Sequence, residues 1–173
     1  AYLDHGLHNQ PQPVKLYYFA SIFRYARPQT GRYRQHHQFG YEAIGDDDSA
    51  LDAEVIEMAW QFFSSLDLGG LSLQLNSIGC KKCRPKYLVS LRQYYDKQTD
   101  SLCPDCRLRF KRNPLRLLDC KKPQCRQLAT LAPKSINFLC PECEEHHSQL
   151  KSYLGQLELP FTANHCLVRG LDY

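Results

Sequence analysis

Cysteine placement constrains this chain more than any other feature. Of nine cysteines, eight form four close pairs: Cys80/Cys83, Cys103/Cys106, Cys120/Cys125 and Cys140/Cys143. Two closely spaced thiolates grip one side of a tetrahedral ion, and a second pair closes it. Eight such ligands make two sites of four sulfurs, a donor set that suits structural zinc. Four thiolates leave no open coordination position, which argues against a catalytic metal. Disulfides are the alternative use of these residues, but the start of the chain carries no secretory pattern. Cys166 has no neighbour in sequence and reads as a small buried hydrophobe.

Which pairs share an ion depends on the segments between them. The pattern places helices near Pro85–Lys97, Cys103–Arg112, Gln124–Leu131 and Glu142–Leu157. A helix over Pro85–Lys97 spans ~20 Å and separates the first two pairs. If Cys103–Arg112 then leads back, Cys120/Cys125 rejoins Cys80/Cys83 at the proximal end. The last helix must return to the core near Pro160, which puts Cys140/Cys143 at the distal end. The expected sites are therefore Cys80, Cys83, Cys120 and Cys125, and Cys103, Cys106, Cys140 and Cys143. The alternative joins the pairs in sequence order, Cys80/Cys83 to Cys103/Cys106.

Charge follows the cysteines. Between Cys80 and Cys143 there are fifteen Lys and Arg against five Asp and Glu, while the whole chain is only +4. Two occupied four-thiolate zinc sites, each formally −2, leave the segment basic. Such a segment suits a polyanion, and a solvated helical surface is the other reading. Arg107, Arg109, Lys111 and Arg112 are the candidates for phosphate contact. No apolar run approaches membrane-spanning length, so a soluble protein is expected.

Residues 1–79 read as α/β. Strands near Leu16–Phe23 and Gln38–Ala43 flank a basic Pro/Gly loop holding Arg24, Arg27 and Arg32. Guanidinium forks match phosphate oxygens in pairs, although solvated arginines on an edge hairpin fit the pattern too. On the second strand Gln38, Gly40 and Glu42 share a face, leaving bare backbone between an amide and a carboxylate. That arrangement suits a small polar or cationic ligand. Asp46-Asp47-Asp48-Ser49 precedes a helix over about Ala50–Leu66, with a capping residue at its positive end. Its stripe of Leu51, Val55, Met58, Ala59, Phe62 and Phe63 is expected to be core. Strands follow near Leu71–Asn76 and Phe161–Asn164. The seven histidines (His5, His8, His36, His37, His146, His147 and His165) read as loop, surface or structural residues.

The segment Phe23–Glu42 resembles motif 2 of class II aminoacyl-tRNA synthetases in its histidyl form. Leu167-Val168-Arg169-Gly170-Leu171-Asp172-Tyr173 resembles that family's histidine-specific signature. Asp52-Ala53-Glu54-Val55, Leu75-Asn76-Ser77-Ile78-Gly79 and Asn113-Pro114-Leu115-Arg116-Leu117-Leu118-Asp119 match between them, in the same order. The resemblance implies an α+β fold: a class II antiparallel β-sheet core with helices, plus a mainly helical zinc-bearing insertion. Residues 1–79 correspond to partial catalytic core, 80–157 to the Cys-rich insertion and 158–173 to the return to the core. It also implies an excerpt of a longer, cytoplasmic, homodimeric enzyme, expected to be inactive as an isolated piece.

The family's reaction joins histidine to ATP, giving histidyl-adenylate, and then moves histidine to tRNA(His). Its cofactors would be ATP as substrate, Mg²⁺ in the intact enzyme and up to two structural Zn²⁺. By resemblance, Arg24 grips the α-phosphate and the amino-acid carboxylate, and Arg32 lies near the terminal phosphates. Arg169 stands at the α-phosphate, Gln38 and Glu42 hold the substrate histidine, and Tyr173 lines its pocket. The resemblance puts the insertion near the tRNA acceptor stem. Ala26 replaces a usually acidic residue that contacts the adenine amino group. That departure keeps an alternative in view: a catalytically silent synthetase-like regulatory subunit of ATP phosphoribosyltransferase in histidine biosynthesis. A stand-alone zinc-stapled nucleic-acid module would account for Cys80–Cys143 but not for the flanking motifs.

Overall fold

The computed structural model describes residues 1–25, 27 and 29–169. Ala26 and Tyr173 therefore lie outside the described residues. Two compact units divide the chain, residues 1–55 and residues 56–173.

The first unit is built on a long hairpin. Strands β1 (Val14–Phe23) and β2 (Gln35–Ile44) pair antiparallel, from Val14 opposite Ile44 to Phe23 opposite Gln35. Alternation gives the ladder two unlike faces. One carries Tyr17, Phe19, Phe39 and Tyr41 as a chain of ring contacts 5.0–6.2 Å apart. The other carries Tyr18, Ala20, Gln38, Gly40 and Glu42, paired as Tyr18 with Gly40 and Ala20 with Gln38. Helix α1 (Ser49–Ser65) begins where Asp48 accepts the N–H of Ala50 at 2.8 Å, satisfying one of the helix's first orphan donors. Lys15 pairs with Glu54, and the Tyr41 hydroxyl donates to the Val55 carbonyl, tying the start of α1 to the hairpin. The apolar stripe expected to be core departs from that reading: Met58, Phe62 and Phe63 are exposed, and Ala53 is the buried apolar residue of α1. Helical periodicity identifies an apolar face but not what covers it.

The second unit is mainly helical. Helices α2 (Arg84–Asp96), α3 (Pro104–Arg112), α4 (Pro123–Leu131) and α5 (Pro141–Gln156) each carry proline in the first turn. There a missing N–H costs nothing and the fixed φ suits the helix. Tyr87, Leu91 and Tyr95, four residues apart on α2, form one fully buried stripe. They share a core with Leu102, Leu117, Leu118, Ala129, Ala132 and Val168. Cys166 is half-buried and packs against that core.

Two short strands, β3 (Leu73–Leu75) and β4 (Phe161–Ala163), pair parallel, so among the described strands the antiparallel pairing expected of the core is found in β1 and β2. Parallel neighbours require a crossover, and α5 enters β4 as its last part. No helix among the described residues is long and apolar enough to cross a membrane.

Candidate functional site

The polar face of the hairpin is organised by a residue that the sequence did not single out. The Tyr18 ring lies across Gly40, and a Cβ there would fall 2.3 Å from the ring. Glycine is thus needed for close approach rather than for an unusual backbone angle. The Tyr18 hydroxyl accepts a hydrogen bond from Gln38 Nε2 at 2.6 Å. This fixes the amide and leaves its carbonyl oxygen to accept from a ligand. Glu42 stands exposed further along the same face. Arg24 continues the ladder through its N–H bond to the Arg34 carbonyl at 2.7 Å. Arg32 closes a tight turn with Gln29, helped by Gly31 at φ 73°. Arg24, Arg27 and Arg32 are all exposed, open to anionic oxygens.

In the second unit the cysteines form two clusters, and the pairing differs from the expected one. Cys80 and Cys83 meet Cys140 and Cys143, while Cys103 and Cys106 meet Cys120 and Cys125. The separation of the first two pairs by α2 holds, but both later assignments reverse. Asn113 caps a 3-10 turn, Pro114–Leu117, by accepting the Leu115 N–H. Burial of Leu117 and Leu118 then folds the chain back, so Cys120 lies 3.9 Å from Cys103, sulfur to sulfur. Cys140 is proximal because the chain returns to the strands before α5 rather than through it. The Ser135 hydroxyl donates to the Ser77 carbonyl at 2.5 Å, which delivers Cys140 beside Cys80.

Both clusters fit a tetrahedral ion. A metal–sulfur bond of about 2.3 Å implies sulfurs about 3.8 Å apart. Cys80–Cys83, Cys80–Cys140 and Cys83–Cys143 stand at 3.7, 3.8 and 3.9 Å, all too long for disulfides. Amide hydrogens support the sulfurs: Cys80 N–H donates to Cys83, Lys82 N–H to Cys80, and Cys103 N–H to Cys125. The N–H groups of Cys83 and Lys82 draw the Cys80 thiol down to about 6. Burial pushes Cys106 and Cys125 up, and Glu142 pushes Cys140 up to about 12. Every sulfur of the second cluster is buried; the first is more open, with Lys82 and Glu142 paired at 3.6 Å beside it. Either set could hold one metal ion.

The basic residues separate into two groups. Arg107 spends its guanidinium on the carbonyls of Leu102 and Asp100, at 3.1 and 2.8 Å. Arg109 and Arg112 instead line a hollow of about 200 Å³ with Leu108, Asn113 and Arg116. Arg116, within the Asn113–Asp119 motif, joins them although it is not one of the expected phosphate contacts. Lys111 is exposed. Arg169 pairs through Nε with Asp119, beside a 490 Å³ cavity that Asp119 lines with Lys121 and Arg126.

The histidyl-tRNA synthetase family model matches residues 1–82. The similarity extends well past it: the Histidine–tRNA ligase of Dehalococcoides mccartyi is 58% identical over all 173 residues, which span 41% of that relative. The chain belongs to the histidyl-tRNA synthetase family. The Histidine–tRNA ligase of Desulforudis audaxviator is 53% identical over the same full span, again 41% of the relative's length. The crystal structure of apo Staphylococcus aureus histidyl-tRNA synthetase is 36% identical, with a TM-score of 0.71, over 99% of this chain and 40% of that one. The chain thus spans about two fifths of the length of the synthetases it matches.

Proposed function

We propose that this chain serves histidine–tRNA ligation in the cytoplasm: histidine is activated with ATP and then joined to tRNA(His). The observation that carries this reading is the 58% identity to a Histidine–tRNA ligase over all 173 residues, a span that contains the hairpin, both cysteine clusters and Arg169. In the first step a histidine carboxylate oxygen attacks the α-phosphorus of ATP, and the bond to the bridging oxygen breaks to release pyrophosphate. The transition state is loose and anionic, so positioned cations do most of the work. Arg24 takes the α-phosphate and carboxylate, Arg32 the terminal phosphates and Arg169 the α-phosphate. Gln38 and Glu42 hold the histidine, with Tyr18 fixing the amide; the family resemblance assigns Tyr173 to histidine binding as well. Mg²⁺ accompanies ATP.

Residues 80–157 act as an insertion between core segments 1–79 and 158–173 of a class II fold that works as a homodimer. Each cysteine cluster holds a structural Zn²⁺, and Arg109, Lys111 and Arg112, joined by Arg116, face tRNA phosphates.

The test is histidine-dependent ATP–pyrophosphate exchange by the native protein carrying this sequence, with Arg169→Ala as control. Exchange that requires histidine and disappears in the variant is the expected result. Histidine binding without exchange would instead support the regulatory-subunit reading that Ala26 keeps open.

A further inference from the structure

Arg169 is the one arginine given a catalytic role above whose side chain has a carboxylate partner among the described residues. Its Nε donates to Asp119 Oδ2. The two members differ in how they are held. Asp119 is largely enclosed, with 16% of its side chain exposed, whereas Arg169 is 74% exposed. Asp119 is fixed on both sides in sequence: Leu118 is in the core and Cys120 is a member of the buried cluster. The backbone leading to Arg169 is fixed as well. Val168 is buried in the same core, and the Leu167 carbonyl accepts from Asn76 Nδ2 at 3.0 Å.

An exposed arginine has much rotamer freedom to lose when it must stand at one place. A rigid carboxylate on Nε removes much of that freedom and leaves the terminal nitrogens for a second anion. The other Asp119 oxygen, Oδ1, is buried and has no hydrogen-bond partner among the described residues. A buried carboxylate with an unsatisfied oxygen is costly to keep, which argues against a purely structural reason for aspartate here.

We propose that Asp119 is a positioning residue for Arg169: it anchors Nε so that the terminal guanidinium nitrogens point at the anion the arginine serves. This rests on the reading of Arg169 in the activation step. Placement errors of about 1 Å at such a group can cost on the order of 100-fold in rate.

The test is pyrophosphate exchange by the native protein with Asp119→Ala, Asp119→Asn, Arg169→Ala and the Asp119→Ala/Arg169→Ala pair. The alanine variant should lose about 100-fold in kcat, with KM for histidine and ATP within about threefold. The asparagine variant keeps an acceptor of the same shape without the charge and should recover at least about tenfold over alanine. The paired variant should be no worse than Arg169→Ala alone, because Asp119 acts through the arginine. Fold loss is controlled by metal content, thermal midpoint and a slowly exchanging arginine Nε–H resonance. That resonance should be absent from Arg169→Ala and from Asp119→Ala while the others persist. An active Arg169→Ala would overturn the role of the arginine itself. An inactive Arg169→Ala beside an Asp119→Ala within twofold of the unaltered protein would overturn the positioning role alone. So would a paired variant much worse than either single change.

Discussion

The sulfur of Cys80 lies 3.8 Å from that of Cys140, sixty residues further along the chain. The first cluster thereby clamps the two points where the long excursion between β3 and α5 begins and ends. The second, made by Cys103, Cys106, Cys120 and Cys125, is closed within the excursion. Each is expected to bind one zinc, giving two per chain by elemental analysis. Cys80→Ser and Cys140→Ser should lose the same ion, and Cys103→Ser and Cys120→Ser the other. Metal loss following the expected pairing, with Cys80 tied to Cys120, would contradict the structure.

Gly79 leads into the first cluster with φ 69°, and a Cβ there would lie 2.5 Å from Cys83 Sγ. Left-handed backbone alone costs a substituted residue about 1–2 kcal/mol. The displaced sulfur adds to that by spoiling the tetrahedral geometry. Gly79→Ala should therefore lower the thermal midpoint and retain about one zinc per chain instead of two, read by melting and elemental analysis on the same sample.

Much of this architecture was legible because local rules and the fold agree. Prolines in the first turns of α2 to α5 mark where each helix starts, and alternation at Gln38, Gly40 and Glu42 marks their shared face. The cluster pairing differs from the expected one because it depends on direction, which spacing does not carry. Knowing that β3 and β4 run parallel would have corrected half of it. A helix that ends by entering β4 must begin near the far end of β3, so Cys140 belongs beside Cys80. The return of Cys120 to Cys103 hangs on a 3-10 turn capped by Asn113, a local reversal that helix periodicity does not register. The role of Tyr18 is hidden in the sequence for a similar reason, since its contact with Gly40 depends on the register across the hairpin.

The Tyr18 hydroxyl holds the Gln38 amide through one neutral hydrogen bond. A hydrogen bond of this kind contributes about 0.5–1.5 kcal/mol. Tyr18→Phe should therefore raise KM for histidine by about two- to tenfold in pyrophosphate exchange, with KM for ATP unchanged. Equal effects on both substrates would point to a general loss of hairpin order instead.

Arg107 and Arg109 are near neighbours on α3 with different employment. Arg107 is bound to the carbonyls at both Asp100 and Leu102, whereas Arg109 shares an open hollow with Arg112 and Arg116. Replacing Arg109, Arg112 and Arg116 together with glutamine should weaken tRNA binding and reduce the slope of log K against log salt by roughly two to three. Arg107→Gln should leave that slope alone. It should instead lower the thermal midpoint, because two carbonyls at the end of the α2–α3 connection lose their donor. Filter binding across a salt series, with a melt of each variant, separates the two roles. A shallower slope in Arg107→Gln, with stability intact, would move that arginine from scaffold to phosphate contact.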